Sequence, residues 1–200
     1  MVLCNVECLE RISNYLDVSP LPLEMQENVI VTTERESNEK IEGFSTIIQL
    51  LIENSKYPDI LGIDNEMKAL SRQWLEYAVV CVNYADTPAN AKRVLQELNV
   101  TLRDKTYLTG TEKTIADVTL YYALHSIMRE LTHQEKAQYV HVSRWFDNMQ
   151  QEEKQIAHVD FRNLELILIS RLCSKQLPYY LLTYAYVCIH ILLLQGTDLP

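Results

Sequence analysis

One uninterrupted segment, from Ile115 to Leu131, constrains the fold of this 200-residue chain more than any other part of it. Its apolar residues fall nearly all round a helical wheel instead of forming a single stripe. A helix has such a surface only when other helices surround it. The sequence therefore predicts a helical bundle with this segment at its centre.

The surrounding helices are predicted from segments whose apolar residues recur every three or four positions. Turn residues are scarce, because glycine and proline number 4 and 6, together about 5% where an average chain has roughly 12%. The β-branched run from Asn28 to Thr33 is the only good strand. The predicted fold class is mainly α, with helices at 3–16, 44–55, 67–85, 91–102, 132–138, 142–150 and about 155–172.

The net charge disfavours a nucleic-acid-binding role. The chain has 18 lysine and arginine residues against 27 aspartate and glutamate residues, which gives a formal net charge of −9. Such a field repels phosphate groups, so no direct contact with DNA or RNA is expected.

Cysteine usage and the start of the chain indicate a reducing compartment. The five cysteines include no Cys-x-x-Cys pair, and an odd number cannot be fully paired, so we predict reduced thiols. No basic residue precedes an apolar run in the opening MVLCNVECLE, so neither a secretory signal nor an Arg-rich transit peptide is indicated. We expect a cytosolic or nuclear protein.

The segment Thr114-Ile115-Ala116-Asp117 has the spacing of a helix capping box. In such a box the Thr114 hydroxyl accepts from the Asp117 amide, and the Asp117 carboxylate accepts from the Thr114 amide. The position fits, since it lies between a glycine-containing turn and the predicted central helix. Lys113, which faces Val118, replaces the apolar residue that usually completes the motif. Thr114 and Asp117 are predicted to be a structural cap.

Three groups of residues occur in a specific order along the chain: Gln73–Tyr77, then Tyr107–Gly110 with Thr114–Val118 and Tyr121-Tyr122, then Val142–Phe146. Together they resemble the C-terminal helical domain of glutathione-transferase-like proteins. Within that superfamily they most resemble the elongation factor 1 epsilon-like auxiliary proteins of the multi-aminoacyl-tRNA-synthetase complex. The resemblance is close over about residues 61–150, looser over 1–60 and absent after about 175.

The resemblance implies a glutathione-transferase-like architecture. Residues 1–57 would form a shortened thioredoxin-like unit, and residues 66–172 would form the all-helical domain. Residues 177–200 remain as an apolar tail of uncertain status.

The resemblance also implies a non-catalytic scaffold in translation that docks methionyl-tRNA synthetase and the glutamyl-prolyl-tRNA synthetase through their own transferase-like domains. One docking surface would be centred on Arg144, which precedes the apolar Trp145-Phe146 pair and suits bidentate pairing. The other would be the dimer-like face of the helices matching 44–55 and 64–84, which carry Leu50 and Arg72. The implied location is the cytoplasm, with a nuclear role carried over from the family.

A glutathione-dependent enzyme is the first alternative, and the residues argue against it. No strand with an activating hydroxyl precedes the first helix, and no proline precedes Asn28-Val29. The motif Gly43-Phe44-Ser45 has neither glutamine nor an acid before its serine. We therefore predict no enzyme activity and no cofactor.

Metal and nucleophile sites are also disfavoured. The five histidines include no i, i+4 pair, so zinc is not expected. Ser143 has no triad signature around it, although sequence alone does not exclude a triad. Aromatic side chains are interpreted as core residues more readily than as a ligand box: Trp74, Tyr77, Tyr121, Tyr122 and Trp145.

The tail leaves several interpretations open. Residues 177–194 are 18 residues without a formal charge, a borderline length for crossing a membrane. With Arg171 and Lys175 upstream, a tail-anchored protein similar to metaxin-type proteins is the second alternative. Four tyrosines, a histidine and Pro178 within the run favour an extra packed segment instead, and an aberrant translated end is the third interpretation. Membrane contact is expected only through this segment.

Overall fold

A computed structural model describes residues 3–26, 29–32, 40–152 and 157–161. The described chain is mainly helical, which confirms the predicted fold class. Its elements are α1 (Val6–Tyr15), β1 (Leu23–Gln26), β2 (Val29–Thr32), β3 (Ile41–Glu42), α2 (Phe44–Glu53), α3 (Asn65–Val80), α4 (Pro88–Thr101), α5 (Ile115–Glu130), α6 (His133–Gln138) and α7 (Val140–Glu152).

The N-terminal part joins two helices to a small sheet. The three strands are antiparallel in the order β1-β2-β3, with Leu23 opposite Thr32 and Thr32 opposite Ile41. The α2 helix begins after Gly43, whose φ of 94° lies in the left-handed region that glycine adopts without strain. Both α1 and α2 contact the sheet.

The sequence prediction of a single strand was wrong. Leu23–Gln26 and Ile41–Glu42 also form strands. Both are short, at four and two residues, so neither gives a clear alternation of apolar and polar positions. Pairing with the β-branched β2 supplies the backbone hydrogen bonds that make them strands.

The α5 helix lies at the centre of the bundle, as its apolar surface predicts. It contacts α1, α3 and α7, and from Ile115 to His125 every residue is buried. The N-terminal part and the helical part share one hydrophobic core, because side chains of α1 and α2 belong to the same cluster as those of α3 to α7. The core contains, among others, Leu9, Ile12, Ile47, Leu51, Leu75, Leu98, Leu120, Trp145 and Phe146.

Asp117 organises the start of α5. It is fully buried, and Thr114 and Asp117 form the capping box. Oδ2 accepts from the Thr114 amide at 3.0 Å and from the Thr114 hydroxyl at 3.2 Å. Oδ1 accepts from the Leu108 amide and from Trp145 Nε1, both at 2.9 Å. One carboxylate therefore connects a loop, a helix start and the distant helix α7.

The Tyr107–Gly110 turn aims the Leu108 amide at this carboxylate. The Tyr107 amide donates to the Gly110 carbonyl at 2.9 Å, and the Gly110 amide donates back at 3.1 Å. Gly110 closes the turn with a φ of 141°, a conformation that residues with a Cβ rarely adopt. Lys113, beside the turn, forms an ion pair with Glu152 of α7.

The predicted helix at about 155–172 was wrong over the residues that can be checked, because residues 157–161 are not helical. They pack along the bundle through side-chain contacts. Gln150 donates to the Val159 carbonyl at 3.1 Å and accepts from the Val159 amide at 2.9 Å. The buried Lys136 donates to the Asp160 carbonyl at 3.1 Å. These contacts satisfy the extended backbone without a helix.

The membrane question depends on residues outside the described part of the chain. The longest helices, α3 and α5, have 16 residues each, where crossing a bilayer takes roughly 20 apolar residues. In the part of the chain that the structure describes, no helix combines the length and the hydropathy of a membrane span. The apolar run 177–194 lies outside the described residues.

We expect Thr114→Ala to lower the free energy of unfolding by about 0.5–2 kcal/mol, the usual cost of losing an N-cap side chain. The measurement is urea unfolding followed by circular dichroism. Thr132→Ala is the matched comparison. It removes the same side chain from an exposed capping box, which Thr132 forms with Glu135 at the start of α6. An unchanged midpoint in Thr114→Ala would mean that the cap does not hold α5.

We expect Asp117→Asn to cost about 1–3 kcal/mol, although it changes no carbon skeleton. An amide has one acceptor oxygen and one donor nitrogen, so it cannot accept from donors at both ends, and at least one buried N–H loses its partner. Asp104→Asn, at an exposed aspartate, is the control and should stay within about 0.5 kcal/mol. Equal unfolding curves for the two variants would contradict the four-donor arrangement.

Candidate docking surfaces

Helices α4 and α7 cap each other. Asn99 of α4 accepts at Oδ1 from the His141 amide at 2.9 Å and from the Val142 amide at 3.3 Å, both in the first turn of α7. In return, Arg144 of α7 donates from Nη2 to the Leu102 carbonyl at 2.7 Å and to the Lys105 carbonyl at 2.6 Å, just after α4 ends. Each helix thus satisfies backbone groups that the other leaves without an intrahelical partner.

The Arg144 guanidinium is held in place on the surface. Arg144 itself is exposed, whereas the adjacent Trp145 and Phe146 are completely buried. Its two carbonyl partners fix the orientation of the guanidinium group. The positive charge lies beside the C-terminal end of α4, where it interacts favourably with the negative end of the helix dipole. Arg103 and Lys105 are exposed on the same loop. Asp104, between them, is ion-paired with Arg103 at 3.2 Å. An otherwise acidic protein therefore presents a basic patch here, formed by Arg103, Lys105 and Arg144, with one carboxylate inside it.

The face formed by α2 and α3 carries the other two predicted docking residues in different settings. Arg72 is exposed, with no hydrogen bond or ion pair to any described residue. Leu50 is only 6% exposed, so it supports this face from beneath. Val80 and Tyr84, at the end of α3 and just beyond it, are 65% and 60% exposed and add apolar surface.

The hydroxyl and thiol groups that could be considered for a transferase reaction are hydrogen-bonded or buried. The Ser45 hydroxyl donates to Glu76 at 2.6 Å. Burial raises the pKa of the Cys4 thiol to about 12, and burial also raises the pKa of Cys8 well above its ordinary value. Both thiols are protonated at neutral pH and are weak nucleophiles.

The polar candidates from the sequence lie apart from one another. His125 bonds the Ala157 carbonyl at 2.9 Å, and the buried Ser143 hydroxyl donates to the Lys136 carbonyl at 2.9 Å. No group of three or more metal-ligating side chains occurs in the part of the chain that the structure describes. Among the aromatic candidates, Tyr121, Tyr122 and Trp145 are buried, and Trp74 and Tyr77 are half-buried.

Asn99, which caps α7, is a residue of this surface that sequence reasoning missed. It lies on the polar side of an amphipathic helix, where an asparagine is ordinary. Its partners are 42 and 43 residues away, so no local spacing marks it. The same holds for the carbonyl partners of Arg144, at separations of 42 and 39 residues.

Comparison with known proteins places the chain among translation-associated proteins with a transferase-like fold. A family model described as the nuclear-export cofactor Arc1p matches residues 67–153. A glutathione S-transferase from Pichia kudriavzevii superposes with a TM-score of 0.58 at 16% identity, over 76% of this chain and 89% of that one. That likeness establishes the fold.

Two curated relatives are much closer in sequence. The eukaryotic translation elongation factor 1 epsilon-1 of Homo sapiens is 39% identical over 124 residues, which are 62% of this chain and 71% of the relative. Its counterpart from Cricetulus griseus is 38% identical over the same shares. With this identity over more than two thirds of the relatives, the chain belongs to the eukaryotic translation elongation factor 1 epsilon-1 family.

Proposed function

We propose that this protein is a non-catalytic scaffold of the translation machinery that docks aminoacyl-tRNA synthetases through transferase-like domains. Its family is named for a translation elongation factor, and its fold is that of a transferase. The proposed partners are methionyl-tRNA synthetase and the glutamyl-prolyl-tRNA synthetase. The proposed locations are the cytoplasm and, as the Arc1p family model suggests, the nucleus.

The observation that carries the proposal is the fixed position of Arg144. Within the described residues the hydrogen bonds of Arg144 use Nη2 alone, so we propose that Nη1 and Nε bind an acidic or carbonyl group on a partner. A guanidinium already held in one geometry loses little entropy on binding. The underlying Trp145 and Phe146 make the surface rigid, since both are fully buried.

The α2–α3 face is proposed as the second docking surface. It combines an exposed cation, Arg72, with the exposed apolar side chains of Val80 and Tyr84. Apolar area flanked by charge is typical of protein interfaces. A scaffold with two separate surfaces can hold two synthetases at once.

The proposed absence of catalysis rests on the chemistry of the side chains present. A glutathione transferase needs a hydroxyl or thiol that stabilises a thiolate. Ser45 belongs to the motif that holds glutathione and not to the activating position, and its hydroxyl is already engaged, because it donates to Glu76 at 2.6 Å. The thiols of Cys4, just before α1, and Cys8, within α1, have raised pKa values because they are buried.

We expect Arg144→Ala to weaken binding to one synthetase transferase-like domain by roughly 30-fold to several thousand-fold, the range for losing one partner of a desolvated charged pair. Arg144→Lys should recover only part of this, because lysine keeps the charge and loses the planar fork. The measurement is calorimetry with each isolated synthetase domain. Arg103→Ala, from the same basic patch, is the control and should cost less than about tenfold.

Folding is the confounding effect in this experiment, because Arg144 also bonds two backbone carbonyls of its own chain. Asn99→Ala separates the two roles, since it removes the opposite cap and leaves the guanidinium in place. If both variants lose binding in proportion to their loss of helicity, Arg144 is a structural residue. Unchanged affinity of Arg144→Ala for every partner would refute the docking role.

We expect no glutathione conjugation above the uncatalysed rate. The assay is absorbance with chlorodinitrobenzene, together with retention on immobilised glutathione. Turnover that disappears in Ser45→Ala would overturn the non-catalytic proposal.

A further inference from the structure

A small cavity of about 230 Å³ lies between α1 and α5, and no role described so far involves it. Side chains of both helices line it, and most of them are polar. From the α1 side these are Asn5, Glu7, Cys8 and Arg11, and from α5 they are Tyr122, His125, Ser126 and Arg129.

The side chains that line this cavity include two arginines and one glutamate, so the cations are in excess. Arg11 is paired with Glu7 at 2.5 Å, so these two neutralise each other. Arg129 is exposed on the last turn of α5 and has no hydrogen bond or ion pair to any described residue. Arg129 therefore leaves one uncompensated positive charge at the rim of the cavity.

His125 shows that both guanidinium groups lie close to the cavity. Burial lowers the pKa of His125; the hydrogen bond to Ala157 acts against this, and the positive charges of Arg11 and Arg129 add to it. The imidazole is therefore neutral at pH 7. Its Nε2 donates to the Ala157 carbonyl, so the unpaired positive charge at the cavity is that of Arg129.

The size of the cavity limits the ligand. Its volume of about 230 Å³ lies below the roughly 300–1,000 Å³ of sites for drug-sized ligands, so we expect a ligand smaller than a nucleotide or a tripeptide. A phosphate group or a short dicarboxylate fits.

We propose that this cavity binds a small dianion, a phosphate or a short dicarboxylate, whose paired oxygens are received by the guanidinium of Arg129. The fork geometry of arginine matches two oxygens of such an anion. The hydroxyl of Ser126, which lines the cavity beside Arg129, is a second donor. This site is independent of the docking surfaces, since none of its residues belongs to them.

The test is a nuclear magnetic resonance titration of the full-length protein with three probes: inorganic phosphate, succinate and acetate. We expect saturable shifts of amides near Ser126 and Arg129 with phosphate or succinate, and weaker binding of the monoanion acetate. Phosphate and succinate are separate arms, so the titration also identifies which dianion is preferred. Glutathione serves as the size control and should not displace the preferred probe.

Arg129→Ala should weaken binding of the preferred dianion by roughly tenfold or more, as expected for losing a charge-assisted hydrogen bond. Arg129→Lys should recover part of it. Arg93→Ala, at an exposed arginine of α4 outside the cavity, removes the same charge and should leave affinity unchanged. The proposal is overturned if neither dianion gives saturable shifts at tens of millimolar, or if Arg93→Ala weakens binding as much as Arg129→Ala.

Discussion

The buried carboxylate of Asp117 is the interaction on which the helical part of this protein depends. Among the described residues it has no cationic partner, and its four hydrogen-bond donors come from the Leu108 loop, from Thr114 and from Trp145 of α7. Burial raises the pKa of Asp117, although the hydrogen bonds act in the opposite direction. The folded state then binds this proton more tightly than the unfolded chain, so ionisation as pH rises through the raised pKa lowers the free energy of unfolding. Ionised Asp117 thus lowers the free energy of unfolding. The fold still requires the carboxylate, because without it three buried N–H groups lose their acceptor.

The position of α7 follows from this node and from the mutual caps with α4. Trp145 anchors the inner face of α7 to Asp117, while Asn99 and Arg144 fix its outer side to α4. Neighbouring residues therefore point in opposite directions, with Trp145 in the core and Arg144 on the surface. A rigid surface cation requires such an anchor, because an arginine on an unsupported helix would sample many rotamers. One face of α7 therefore packs into the core, and the opposite face carries the residue proposed for recognition.

Sequence reasoning succeeded where the determining contacts are local. The apolar surface of 115–131 predicts a surrounded helix because a helix repeats every 3.6 residues, and the spacing from Thr114 to Asp117 predicts a cap for the same reason. It failed where the partner is distant in the chain. Nothing near Asp117 indicates that its Oδ1 accepts a hydrogen bond from Trp145 Nε1, which is 28 residues away. Residues 157–161 were misread as helical because their side-chain partners, such as Gln150 and Lys136, belong to other helices.

The proposed scaffold role is compatible with the way this transferase-like fold is held together. The features that maintain the fold, namely the cap at Thr114, the Leu108 turn and the Trp145 anchor, lie in the helical part and need no active-site residue. The serine of the transferase motif is bonded to Glu76, which connects α2 to α3. A hydroxyl that would otherwise serve a ligand thus holds together the face that carries Arg72. In a chain with a net charge of −9, the proposed recognition chemistry uses three guanidinium groups, those of Arg72, Arg129 and Arg144. Of these, Arg144 is the one that hydrogen bonds to described residues hold in place.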